Sequence, residues 1–269
     1  MDKKKATFFE RDKKNNERTQ VSFSPCKALQ PIVKGYMIID CEDGIDLETL
    51  PSTSISINYI INGNIRLKQD NGMMADLPKA VAFGIARKNQ CFTFSDNTTL
   101  LVIVLKEGAA SCMIKMHINE LFDQFIDLNE LFSTEKISSL DGRLGKQKTY
   151  QGMIQTMESF LLSVVDCMTV DAVIEEALHR IRKKKGLISV SALAEELHLS
   201  KDAFEKKFRR IVGTTPKHYA NIVRFRDLIH KSYPHKRLTE IGLDAGYYDQ
   251  SHFIRYFKSF TGMPPSNFF

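Results

Sequence analysis

Val190-Ser-Ala-Leu-Ala-Glu-Glu-Leu-His-Leu-Ser-Lys-Asp-Ala-Phe-Glu-Lys-Lys-Phe208, followed by Gly213-Thr-Thr-Pro216, decides the fold because its pattern returns further on. The second copy is Leu238-Thr-Glu-Ile-Gly-Leu-Asp-Ala-Gly-Tyr-Tyr-Asp-Gln-Ser-His-Phe-Ile-Arg-Tyr-Phe257, followed by Gly262-Met-Pro-Pro265. Each copy opens with small or apolar residues at i, i+3, i+4 and i+7, which line one face of a helix. These are Val190, Leu193, Ala194 and Leu197, then Leu238, Ile241, Gly242 and Ala245. A turn follows at His198-Leu199 and at Gly246-Tyr247. A second helix then opens at a capping residue, Ser200 or Asp249. Its inner face is Phe204, Phe208 and Ile211, or Phe253, Phe257 and Phe260. Helix, tight turn and helix around a small shared core is the helix-turn-helix plan, whose second helix enters the major groove of DNA.

The tandem pair, the two Gly…Pro ends and the joining segment His218-Tyr219-Ala-Asn-Ile-Val-Arg224 together resemble the AraC/XylS family of bacterial transcription regulators. The resemblance covers the last third of the chain, with two copies at the family's separation. It implies a sequence-specific regulator, an activator, with double-stranded DNA and RNA polymerase as partners. It also implies a jelly-roll, cupin-like N-terminal half that senses a small molecule, forms a homodimer, or both. There are two departures. His198 stands where the family's first turn has Gly, which strains that turn. Gly242 replaces the usual Ala, at a cost of roughly 1 kcal/mol to its helix.

With the phenylalanines inward, the exposed faces carry Lys201, Asp202, Glu205, Lys206 and Arg209 in one copy, and Gln250, Ser251, Ile254, Arg255 and Lys258 in the other. By the resemblance, Asp202, Glu205, Lys206, Gln250, Ser251 and Arg255 occupy the positions that read base edges. The chemistry agrees in part: Arg255 suits guanine, Gln250 suits adenine, and Glu205 can accept from cytosine N4. Lys201, Arg209, Lys217 and Lys258 are better placed for phosphates. An ordinary solvated helix face is the plainer reading of each residue taken singly.

Pro216 suits the first turn of a helix, and no Gly or Pro interrupts the chain from Lys217 until Pro234. Tyr219, Ile222, Val223, Phe225, Leu228 and Ile229 give this linker helix a wide apolar face, able to touch both flanking units.

The chain has 269 residues and a formal charge of +6, unevenly placed. From Lys183 onward, 16 Lys or Arg face 8 Asp or Glu, net +8, and the remainder is −2. A basic module on a near-neutral partner suits a polyanion. The divisions expected are a flexible arm (1–20), a sensor or dimerisation domain (21–182; β-rich over 21–107, helical over 116–182) and a DNA-binding domain (183–269). The whole is an α+β chain ending in an all-α domain. Lys3-Lys4-Lys5 could add a weak electrostatic contact.

Period-two alternation marks the β-rich part. Ile55, Ile57, Tyr59 and Ile61 alternate with polar residues, Asn62-Gly63 gives a two-residue hairpin signal, and Ile65 and Leu67 resume. Val81, Phe83 and Ile85, then 91–94 and 100–105, read as further strands of a sandwich or barrel. Beyond them, Ile118, Leu121, Phe122 and Phe125 share one face of a helix, 129–145 reads as a polar loop, and Met153, Met157, Phe160, Leu161 and Val164 form an apolar stripe. That stripe packs on the sandwich or forms a subunit interface. A last helix over 170–181 runs into Arg182-Lys-Lys-Lys-Gly186.

No apolar run is long enough for a bilayer and no signal peptide is evident, so a cytoplasmic protein is expected. Cys26, Cys41, Cys91, Cys112 and Cys167 contain no C-x-x-C pair and read as free thiols. His117 is the only histidine before His179, which excludes a two-His cupin iron site. No nucleophile elbow or phosphate-binding glycine loop occurs. No enzyme, cofactor or metal is therefore expected. The competing reading is a ligand-independent architectural protein whose N-terminal half only dimerises.

Overall fold

The computed structural model describes residues 9–12, 18–231, 237–247 and 249–268; Lys3-Lys4-Lys5 and Pro234 lie outside them. The N-terminal half is built from β1 (Phe9–Asp12), β2 (Arg18–Phe23), β3 (Val33–Cys41), β4 (Ile45–Thr49), β5 (Ser56–Asn62), β6 (Ile65–Lys68), β7 (Met74–Asp76), β8 (Ala80–Phe83), β9 (Gln90–Phe94), β10 (Thr98–Leu105) and β11 (Phe125–Asp127). They form two antiparallel sheets, ordered β1-β4-β9-β6-β7 and β11-β8-β5-β10-β3-β2. The sheets face each other across an apolar layer that includes Ile39, Leu47, Ile65, Val81, Phe92, Phe94 and Val102. The outer face of the second sheet, with Ile38, Ile57, Tyr59, Leu101 and Ile103, belongs to a second core that runs on through the helices. Strands β3, β5 and β10 are therefore covered on both sides.

This double burial corrects the expected hairpin at Asn62-Gly63. β5 pairs with β8 and β10, whereas β6 pairs with β7 and β9. The chain changes sheets at the turn instead of folding back on itself. Gly63 has φ +78°, and a Cβ there would lie 2.2 Å from the Thr98 hydroxyl. An Asn-Gly turn supplies the positive φ that such a corner needs just as well as a hairpin. The alternation along β5 is real but its polar face is not solvent-exposed: Ser56 and Asn58 are buried and point into the sandwich.

Three other expectations are corrected. Part of the 1–20 arm is paired backbone: β1 lies on the edge of β4, with Phe9 opposite Thr49, and β2 pairs with β3 from Arg18. The expected helix over Ile118–Phe125 is only a 3-10 turn, Ile118–Leu121. Phe122 is extended, Asp123 is left-handed with φ +59°, and Phe125 begins β11 against β8. The polar stretch 129–145 is helical, not looped. It holds α1 (Leu128–Leu131) and α2 (Thr134–Leu144), the latter capped by Ser133 and buried at Ile137, Leu140 and Leu144.

Next comes α3 (Tyr150–Val164), whose stripe Met153, Met157, Phe160, Leu161 and Val164 is buried within this chain. Two hydrogen bonds pin α2 and α3 to the sheet: Tyr59 Oη to Asp141 Oδ1 (2.9 Å) and Tyr150 Oη to Asp40 Oδ2 (2.6 Å). The remaining helices are α4 (Ala172–Lys183), α5 (Val190–Glu196), α6 (Lys201–Val212), α7 (Pro216–Ile229), α8 (Leu238–Asp244) and α9 (Gln250–Thr261).

The C-terminal helices are docked on the sandwich half. Lys207 of α6 pairs with Asp171, the cap of α4, at 2.8 Å, and Arg226 of α7 donates to the Pro51 carbonyl at 3.3 Å. Asn89 N–H donates to the Phe260 carbonyl at 2.9 Å. His218 of α7 fills the junction, stacked on Phe260 (5.9 Å) and edge-on to Phe122 (5.3 Å). Burial holds its imidazole pKa below the usual 6.5, and nearby Arg87 adds to this; a hydrogen bond to the Ala86 backbone and the charge of Asp123 oppose the shift. A depressed histidine binds fewer protons folded than unfolded, so its contribution is present above about pH 6.5 and is lost as pH falls through and below it. Unfolding midpoints measured from about pH 7.5 to about pH 5 should therefore fall more steeply for wild type than for His218→Gln.

Candidate nucleic-acid interface

Each helix-turn-helix unit is built as its sequence dictates. Ser189 Oγ accepts from the Ala192 amide to cap α5, while Arg237 N–H is satisfied by Glu240 Oε2 at the start of α8. Ser200 caps α6 and Asp249 caps α9 through the amide three residues on. The intervening turns need one residue with positive φ. Gly246 supplies it at +78°, but in the first unit His198 does so at +56°. That conformation costs a residue with a Cβ roughly 1–2 kcal/mol, so the strain expected from the sequence is present.

Gly242 has a packing reason. A Cβ there would sit 3.1 Å from Cβ and Cγ of Phe253, which is fully buried and braced by Tyr247 and Phe257. Gly242→Ala should gain about 1 kcal/mol of helix propensity but cost roughly 1–3 kcal/mol of overpacking. The expected net result is a loss of about 1 kcal/mol, readable as a lower urea midpoint at unchanged slope.

The two caps set a common frame in which Lys201, Asp202, Lys206, Arg209 and Arg210 correspond to Gln250, Ser251, Arg255, Lys258 and Ser259. All ten of these are exposed. Phe204, Phe208 and Ile211 correspond to Phe253, Phe257 and Phe260, and all six are buried. The expected base-reading positions Asp202, Lys206, Gln250, Ser251 and Arg255 thus share the outer faces of α6 and α9 with the expected phosphate positions Lys201, Arg209 and Lys258. Lys217 is exposed at the start of α7.

Glu205 differs. Its side chain is only 26% exposed, and its carboxylate faces Lys201 Nζ at 4.0 Å and Arg209 Nη2 at 3.4 Å. As an acceptor for cytosine it is already engaged, although such i,i+4 pairs are worth only about 0.3–0.5 kcal/mol. Gln250 Oε1 likewise accepts from Thr239 Oγ1 at 3.1 Å, which fixes the amide's orientation.

Sequence reasoning passed over Arg210 and Arg224. The exposed Arg210 was legible from its position one residue beyond Arg209. Arg224 entered only as the end of the joining segment, and nothing local marked its contact. Its Nε donates to the Ala245 carbonyl at 2.6 Å, and its guanidinium lies 3.5 Å from the Tyr247 ring centroid, clamping α7 to the turn after α8.

Among the described residues, no group of three or more His, Cys, Asp or Glu could hold a metal ion, and no helix is long and apolar enough to cross a membrane.

Residues 193–269 match the family described as "Helix-turn-helix domain", and residues 21–127 match a "Domain of unknown function (DUF6597)". No curated protein matches the chain. Among solved structures, the apo form of a single-residue variant of ToxT from Vibrio cholerae aligns with 15% identity over 87% of this chain and 96% of its own, TM-score 0.45. Wild-type ToxT with an unsaturated fatty acid bound aligns at 14% identity over 87% and 93%, TM-score 0.44. An RmlC-like cupin protein from Desulfovibrio desulfuricans aligns at 9% identity over 39% and 96%, TM-score 0.26. With its tandem units, shared caps and matched exposed faces, the segment 193–269 is an AraC-type helix-turn-helix domain, the DNA-binding part of a transcription regulator.

Proposed function

We propose that the chain is a sequence-specific regulator whose helices α6 and α9 read successive major grooves of one duplex, with the sandwich half as a small-molecule sensor. The observation that carries the DNA reading is the matched pair of basic positions, Lys206 with Arg255 and Arg209 with Lys258, exposed in the same frame on both second helices. The first pair faces base edges and the second the phosphates. Asp202, Ser251 and Gln250 complete the reading surface, with Glu205 in a supporting place. Lys201 and Lys217 add phosphate contacts. Residues 183–269 form the DNA-binding domain in this reading, and 21–182 the sensor. A second copy of the chain and RNA polymerase are the partners such an activator implies.

Base and phosphate roles separate under mutation. Arg255→Ala should weaken binding to a site selected from random duplexes by about 1–3 kcal/mol and relax preference at one or two base pairs. Lys258→Ala should weaken binding to all sequences evenly. An unchanged preference profile in Arg255→Ala would remove that residue from base readout.

The sensing reading rests on the interior of the sandwich. Thr49, Ser54, Ser56, Asn58 and Gln90 are among the polar residues lining a cavity, and Phe83, Phe92 and Phe94 are among its apolar ones. Asn58 Nδ2 donates to Ser56 Oγ at 3.0 Å, and Ser54 Oγ is buried without a hydrogen-bond partner among the described residues. A buried hydroxyl left unpaired is costly, so the polar lining favours an occupant with a polar head, while the phenylalanines favour an apolar body. The cavity holds only about 40 Å³, room for a few waters, so an organic effector must spread the two sheets to enter. An effector should raise the unfolding temperature of wild type and do so less for Ser54→Ala. A cavity that stays closed to all small amphiphiles favours the architectural alternative.

A further inference from the structure

Cys112 and Cys167 are 55 positions apart, yet the fold brings them together. Cys112 ends the 3-10 turn Ala109–Cys112 and is 1% exposed. Cys167 lies in the link between α3 and α4 and is exposed. Their backbones are tied: the Cys112 carbonyl accepts from Asp166 N–H at 2.8 Å and from Cys167 N–H at 3.4 Å. Both sulfurs lie 3.5 Å from the Thr169 carbonyl oxygen, so the two thiols converge on one acceptor.

The pair sits beneath the first recognition helix. The turn that ends at Cys112 packs against α6. The link that carries Cys167 continues through Val170 to Asp171, which caps α4 and pairs with Lys207 of α6 at 2.8 Å. Val170 and Ile211 of α6 converge on Gly108, where an added Cβ would lie 2.9 and 3.5 Å from their methyl groups. The two cysteines therefore belong to two of the pieces of chain that seat α6, beside the 3-10 turn Ile118–Leu121.

We propose that Cys112 and Cys167 are a reversible thiol–disulfide pair whose oxidation by a hydroperoxide joins two segments of this seat and tightens the docking of α6. The Cys167 thiolate, open to solvent, attacks the terminal peroxide oxygen. The O–O bond breaks, Cys167 becomes a sulfenic acid, and the departing hydroxide or alkoxide takes up a proton. The Cys112 sulfur then attacks the sulfenic sulfur. The S–O bond breaks, and the leaving hydroxide carries off the Cys112 proton as water. Two thiols lose two electrons in all, and the peroxide gains them. Burial pushes the Cys112 thiol up to about 12, with Cys167 adding to the shift, and a neutral disulfide leaves no charge in that apolar setting. A dithiol reverses the reaction by exchange at the exposed sulfur.

The test does not depend on what α6 reads. Full-length protein freed of reductant is treated with hydrogen peroxide, alkylated under denaturing conditions, digested and analysed by mass spectrometry. A Cys112–Cys167 peptide that dithiothreitol abolishes and that Cys167→Ser cannot form is expected. Backbone amide exchange in α6 is then compared before and after oxidation and should slow by about tenfold in wild type while Cys167→Ser stays unchanged. The exposed position makes Cys167→Ser the variant of choice, because Cys112 is in the core. Quantitative alkylation of Cys112 after oxidation, or over-oxidation of Cys167 in its place, would overturn the pair. A cross-link that leaves α6 exchange unaltered would overturn its role in docking.

Discussion

Raising salt from about 50 to about 200 mM is expected to weaken specific DNA binding by the full chain roughly 10³- to 10⁵-fold. The range follows from about 6 to 10 phosphate contacts, each releasing condensed counterions. The exposed cations on α6, α9 and the start of α7 are Lys201, Lys206, Arg209, Arg210, Lys217, Arg255 and Lys258; those seated in a groove for base contacts also lie beside phosphates and add to the same electrostatic count. Two of them are held by Glu205, Arg209 at 3.4 Å and Lys201 at 4.0 Å. Those pairs are exposed and weak, about 0.3–0.5 kcal/mol each, so a phosphate displaces Glu205 readily. The sandwich half cannot supply the effect, since residues 1–182 sum to −2 against +8 for the remainder. In a plot of log affinity against log salt, Lys258→Ala should lower the slope by about 0.9 at every sequence tested. A flat response to salt, or an unaltered slope in the variant, would contradict the interface drawn here.

What could be read from the sequence followed from how much of each decision was local. The helix-turn-helix units were legible to the residue because cap, helix face and turn are all set within about twenty positions, and Ser200, Asp249 and the buried phenylalanines stand where the pattern puts them. The strands were legible as strands, but not as sheets. Alternation reports which residues share a face, not what that face meets. The alternation put Ser56 and Asn58 on the face opposite Ile57 and Tyr59 but could not show that this face lines the sandwich interior. The Ile118–Phe125 spacing fitted a helix, but a left-handed Asp123 and the pairing of β11 with β8 overrode it. For α2 the signal existed: Ser133 precedes Ile137, Leu140 and Leu144 at helical spacing. The polar residues between them masked it. The thiol pair and the Arg224 clamp are tertiary contacts with no local signature.

Phe225→Ala is expected to destabilise the chain by about 3–5 kcal/mol, the range for emptying a buried aromatic site. Phe225 is fully buried in α7, stacked on Phe260 at 5.0 Å and edge-on to Phe257 at 5.5 Å. Both partners belong to α9. Six residues earlier on the same helix, Tyr219 meets Phe208 of α6 at 5.7 Å. Helix α7, 14 residues long and hence about 21 Å, thus holds the core of one unit near its start and the core of the other near its end. Tyr256 of α9 also donates to the Asn221 carbonyl, in the middle of α7. A strut gripped at both ends fixes the separation and rotation of two recognition helices, and reading two grooves about 34 Å apart needs both fixed. Removing the ring loosens the α9 end alone, while the exposed cations keep their charge. Specific affinity should therefore fall far more than affinity for random duplex, with circular dichroism confirming that the helices persist. A loss of stability below about 1 kcal/mol would deny the packing role. Equal losses on specific and random DNA would mean that the two units bind without a fixed spacing, and the strut would have no part in recognition.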